Sequence, residues 1–114
     1  MKQPAFLFAG LTALSLLTAP LVQAQEQDRR DLMALYFASI AADRCDFPLS
    51  ETEADKLIQA AVALQKKLSL TETAADQLYE EVELAFEKKL PDACKKDGEA
   101  FKSYEQVLRE IRKK

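Results

Sequence analysis

CDFPLSETEADKLIQAAVALQKKLSLTETAADQLYEEVELAFEKKLPDAC, residues 45–94, decides the fold: it begins and ends on the only two cysteines of the chain. Between them a helix start is written twice in nearly the same way, as LSETEADKLI at 49–58 and LTETAADQLY at 70–79. In the first, Ser50 and Glu53 make a capping box: the serine hydroxyl accepts from the amide three residues on, and the glutamate accepts from the Ser50 amide. In the second, Thr71 takes the N-cap place, for which serine and threonine are both suited. Leu57, Ile58, Ala61, Leu64 and Leu68 follow at spacings of three and four and predict a helix over about 51–68. Ala75, Leu78, Tyr79, Val82, Ala85 and Phe86 predict another over about 72–90, stopped by Pro91. Two such units are too few for a solenoid, so the repeat reads as two helices that start alike.

On the N-terminal side, RRDLMALYFASIAADR predicts a helix over about 28–44 with Asp28 as its N-cap. Its apolar residues cover more than one stripe, which suits a helix at the centre of a bundle or against a partner. We take burial within its own domain as the expectation, with Met33 and Phe37 the first candidates for an exposed patch. The helix stops before Pro48, because the residue preceding proline is pushed out of the α region. On the C-terminal side, Pro91 and Asp92 open a helix over about 92–112, with Cys94, Phe101, Tyr104, Leu108 and Ile111 along one side. Gly98 within it marks either a kink or a late true start.

The expected fold is therefore all-α, a four-helix up-down bundle. The end of helix one, the start of helix two, the end of helix three and the start of helix four meet at one pole of such a bundle. Cys45 and Cys94 both lie there, so a disulfide joining the end of helix one to the start of helix four is expected. Closing a loop of about 50 residues contributes on the order of 4 kcal/mol in the chain-entropy model.

Residues 1–24 read as a cleaved signal peptide: Lys2, then the apolar run AFLFAGLTALSLL at 5–17, then small residues up to a cleavage site after Ala24. That run is shorter than the roughly 20 residues that span a bilayer, so no stable membrane insertion is expected once it is removed. Residues 25–114 would form one helical domain in the periplasm of a bacterium, or be secreted, a setting in which paired cysteines oxidise.

The chain carries 16 basic and 19 acidic residues and no histidine. Residues 25–87 hold 14 acidic groups against 6 basic, and residues 88–114 hold 9 basic against 5 acidic. A net acidic chain without basic and aromatic residues interleaved is a poor partner for nucleic acid. The basic end reads as a solvated helix whose last cations complement its own dipole. Without histidine there is no Ser-His-Asp or Cys-His arrangement. The cysteines form no Cys-x-x-Cys motif, and two glycines cannot build a phosphate loop. Glu80, Glu83 and Glu87 lack the Glu-x-x-His pairs of carboxylate-bridged metal sites, and read as a solvated acidic face. The expectation is a non-enzyme with no cofactor and no metal.

The residues around the cysteines carry a resemblance. Cys45-Asp46-Phe47, the spacing to Ala93-Cys94, then Asp97, Ala100, Phe101 and Lys102, and a lysine-ended terminal helix resemble the HdeA-type periplasmic acid-stress chaperones. The likeness covers the two cysteine neighbourhoods, about a third of residues 25–114. The two long regular helices between the cysteines depart from that pattern, as does the lack of a tryptophan near the first cysteine. The resemblance implies a holdase that is folded and inactive at neutral pH and exposes apolar surface to unfolded clients in acid. With no histidine, any such switch belongs to Asp and Glu, and full protonation takes the charge of residues 25–114 from −4 to about +15. The faces it would free are those of Met33 and Phe37 and of Val82 and Phe86. An alternative is a periplasmic binding, adaptor or inhibitor module of the immunity type. It would act folded at neutral pH on a protein partner, through the apolar face of helix one and the basic last helix. A homodimer joined along residues 32–41 is a third arrangement.

Overall fold

A computed structural model describes the backbone of residues 2–113 and the side chains of residues 22–113. Most of the expected signal peptide therefore lies outside the residues whose side chains are described. The described elements are α1 (Lys2–Cys45), α2 (Glu51–Lys67), α3 (Glu72–Glu87), a short 3-10 turn (Asp92–Cys94) and α4 (Glu99–Arg112), with no strand among them. The all-α, four-helix, bundle-like architecture is as expected, and Cys45 is bonded to Cys94 with their Cα atoms 5.0 Å apart.

α1 is the central helix. Leu32, Leu35, Tyr36, Ala38, Ile40 and Ala41 are all buried, and at 100° per residue they are spread round its whole circumference. α2, α3, α4 and the 3-10 turn each pack against it, and α4 also lies on α2. Ala38 and Ala41 are fully buried, and with side chains this small they let neighbouring backbones approach closely. α2 contributes Leu57, α3 contributes Ala75, Leu78, Val82 and Phe86, and α4 contributes Tyr104, Leu108 and Ile111. Each fully buried large apolar side chain stabilises the fold by roughly 1.5–3 kcal/mol.

Both inner helix starts form as their sequences indicate. The Ser50 hydroxyl accepts from the Glu53 amide at 3.1 Å, and the Glu53 carboxylate accepts from the Ser50 amide at 3.0 Å. Thr71 accepts from the Ala74 amide at 3.1 Å, without a box because alanine stands where Glu53 stands in α2. Ser50→Ala should cost about 1 kcal/mol, seen as a lower urea midpoint with an unchanged slope.

Three boundaries differ from expectation. Asp28 is not an N-cap, because α1 runs through it without a break. Residues 22–27 contain neither glycine nor proline to stop the helix, and the Asp28 carboxylate instead meets Lys67 of α2 at 3.2 Å. α3 ends at Glu87, three residues short of Leu90, since the turn that leads into Pro91 opens earlier. The last helix does not begin at Asp92. The bonded Cys94 belongs to the 3-10 turn, Lys95 is extended, and Gly98 is the N-cap of α4, so of the two readings of Gly98 the late start is correct. A Cβ on Gly98 would lie 3.2 Å from the Lys95 carbonyl oxygen, a close approach that favours glycine there.

Candidate functional site

The four apolar residues singled out as a client or partner face, Met33, Phe37, Val82 and Phe86, come together where α1 meets α3. Val82 and Phe86 are buried, while Met33 and Phe37 are half-buried and packed on the same core. The Phe37 ring stands edge-on to Phe86, centroids 5.9 Å apart. The α3 half of the face is therefore buried within the chain, while the α1 half, Met33 and Phe37, is packed on it and stays partly exposed.

Ion pairs close this seam and its surroundings. Arg44 donates to Glu87 at 2.7 Å and lies 3.6 Å from Glu83, which fastens the end of α1 to the end of α3. Its guanidinium pKa is raised, chiefly by the hydrogen bond to Glu87 and the charges of Glu87 and Glu83. Arg29 reaches Glu81 at 3.8 Å. Arg112 of α4 donates to Glu53 of α2 at 2.6 Å, and Lys67 pairs with Asp28. Each of these pairs joins two different helices, and each depends on an ionised carboxylate. Most are exposed and individually worth at most about 1 kcal/mol; their effect lies in acting together.

Glu53 is the acid with the most support. Its carboxyl is held below the ordinary carboxylate range, first by the Ser50 amide and then by Arg112. A folded pKa below the unfolded one means stability that is present above the ordinary value of about 4.3 and lost as pH falls through the folded value. Glu53→Gln keeps an acceptor for the Ser50 amide but loses the charge beside Arg112; it should cost at most about 1 kcal/mol at neutral pH, and the gap from the parent should close below about pH 4. Urea midpoints at pH 7, 4 and 2.5 check this; a gap that stays constant with pH would count against it.

Beside the disulfide, Phe47 packs edge-on against Phe101 and tilted against Tyr104, with centroids 4.9 and 5.3 Å apart. The buried Tyr104 hydroxyl donates to the Pro48 carbonyl at 2.8 Å. Two open grooves flank α4. One, of about 680 Å³, runs past Phe37, Leu90, Ala93 and Val107; the other, of about 860 Å³, runs past Leu35, Leu64, Val107 and Ile111.

The periodicity of α2 and α3 misplaces two residues. Ile58 and Tyr79, read as core-facing, are 61% and 37% exposed, and Val62 is 40% exposed. α2 and α3 both lean on α1 but have little packing against each other, so their facing sides stay open. Tyr36 lies between them: its hydroxyl accepts from Gln65 of α2 at 2.6 Å and its ring meets Tyr79 of α3 at 5.2 Å. Ile58 and Val62, one helical turn apart, are the pair whose spacing could have signalled an open stripe.

Among the described residues, no group of three or more His, Cys, Asp or Glu side chains is placed to hold a metal ion. No helix among them is long and apolar enough to cross a membrane. No protein-family model matches the chain, no curated protein matches it, and no solved structure matches it.

Proposed function

We propose that this is a non-catalytic, exported helical protein of the bacterial periplasm that acts as an acid-stress holdase, in the manner its HdeA-like cysteine neighbourhoods imply. The observation that carries this reading is the α1–α3 seam. Val82 and Phe86 are buried there and Met33 and Phe37 half-buried on the same core, and the seam is bordered by Arg44–Glu83, Arg44–Glu87 and Arg29–Glu81. Full protonation of the chain's carboxylates makes the whole domain strongly cationic and self-repelling. The disulfide keeps α1 tethered to the segment that follows α3, so the chain opens without dispersing. Purified protein with its disulfide intact is expected to suppress aggregation of an acid-denatured client at pH 2–3 and not at pH 7. Failure to suppress it at pH 2–3 removes the proposal.

A second reading, a module that binds a protein partner while folded, is favoured by the open side of α2 and α3. Of the two features first considered for it, the apolar face of α1 is buried in the core, while the basic side of α4 stays exposed. Exposed Ile58, Val62 and Tyr79 supply the apolar contact that α1 does not. Retention of a stoichiometric partner from periplasmic extract at pH 7 supports this reading, and recovery of the monomer alone counts against it.

A further inference from the structure

We propose that the trough between α2 and α3, floored by Tyr36 and lined by Ile58, Val62 and Tyr79, docks a cationic amphipathic helix of another protein. The inference rests on the second reading above, that the protein binds a partner while folded. Three observations carry it. Two helices that lean on the same central helix with little packing on each other leave a gap along α1, and a further helix can lay an apolar stripe into a groove of that kind. The exposed side chains along the gap are large and apolar, and they come from both walls. Tyr36 touches both Gln65 and Tyr79, which sets those two residues level across the gap; Val62 and Ile58 follow on the Gln65 side of α2, about one and two turns along it.

The charge around the trough selects the occupant. Asp55 precedes Ile58 by three residues and Asp76 precedes Tyr79 by three, so each sits on the same face as its apolar neighbour. The Tyr79 phenol has its pKa raised by burial and by the charges of Glu83 and Asp43, which places both acids beside it; Arg44 opposes them there. The nearby cations are this Arg44, already engaged by Glu83 and Glu87, and Lys66, one turn beyond Val62. The rim is acidic on balance. A second copy presenting the same trough would set these carboxylates against themselves. A second copy presenting its basic α4 would have no apolar stripe to offer, since Tyr104, Leu108 and Ile111 are buried in its own core. A basic helix with a free apolar face satisfies both the lining and the rim.

The test uses the full, disulfide-bonded chain at pH 7 and two fluorescent model peptides, a Leu/Lys amphipathic helix and its Leu/Glu counterpart, followed by anisotropy. The Leu/Lys peptide is expected to bind saturably with one site, and the Leu/Glu peptide at least tenfold more weakly. Ile58→Gln with Val62→Gln should weaken Leu/Lys binding at least tenfold while leaving the circular dichroism spectrum unchanged. Leu84→Gln, also exposed but turned well away from Tyr79 around α3, should leave it unaltered. Equal binding of both peptides, or binding indifferent to the Ile58 and Val62 changes, overturns the proposal. So does a dimer in light scattering that those two changes abolish. If the peptide does not bind and a partner from extract is retained equally by parent and double variant, the trough assignment fails and the second reading stands.

Discussion

Replacing Cys45 and Cys94 together by serine lowers the unfolding free energy by about 4 kcal/mol and the thermal midpoint by roughly 20 °C for a domain of this size. The magnitude follows from the 49-residue separation of the bonded pair. Without the bond, the unfolded chain regains the freedom of a loop that contains both inner helices. The native state loses little, because the same pole is held by Phe47 against Phe101 and Tyr104, by Tyr104 on the Pro48 carbonyl, and by Arg44 on Glu87. The variant should therefore fold to the same helical content in the cold and unfold earlier. Urea and thermal unfolding of the oxidised parent, the reduced parent and the variant measure it. A difference below about 1 kcal/mol would mean that the unfolded chain already holds the two ends together.

Phe86→Ala costs about 3–5 kcal/mol, the range for emptying a buried aromatic site. Phe86 is 2% exposed and touches Phe37 edge to face, so the substitution removes both the filling of the seam and an aromatic pair. Its effect should exceed that of Phe101→Ala, whose ring is only partly buried. Beyond lost stability, it should raise the binding of a hydrophobic dye at neutral pH above that of the parent, because it uncovers Met33 and Phe37 while the cross-helix ion pairs remain ionised. A Phe86→Ala protein as stable as the parent would place the seam outside the cooperative core.

Much of this architecture is legible in the sequence because it is written in local chemistry. Ser50, Glu53 and Thr71 cap the helices they precede, since a hydroxyl or carboxylate three residues from an amide needs no tertiary information to find it. The lack of polar residues along 32–41 other than Ser39 marks α1 as central, and the disulfide follows from two capped helices returning the chain to its starting pole. What is not legible depends on long-range geometry. Asp28 has the composition of a cap, but nothing before it breaks the helix. The spacing of Ile58 and Tyr79 matches that of core residues; their exposure arises because α2 and α3 do not close on each other, which no periodicity encodes. In the same way, the apolar face of Met33, Phe37, Val82 and Phe86 could be recognised, but whether another helix covers it could be learned only from the packing.

In the proposed acid response, the charge gained on protonation opens the α1–α3 seam and the disulfide limits how far it opens. Dye binding and far-ultraviolet circular dichroism of the oxidised protein, followed together from pH 7 to pH 2, test it most directly. The expected result is weak dye binding at neutral pH and a strong rise below about pH 4, with much of the helical signal retained; in the reduced protein more of that signal is lost. An oxidised protein that binds no more dye at pH 2 than at pH 7 would contradict this.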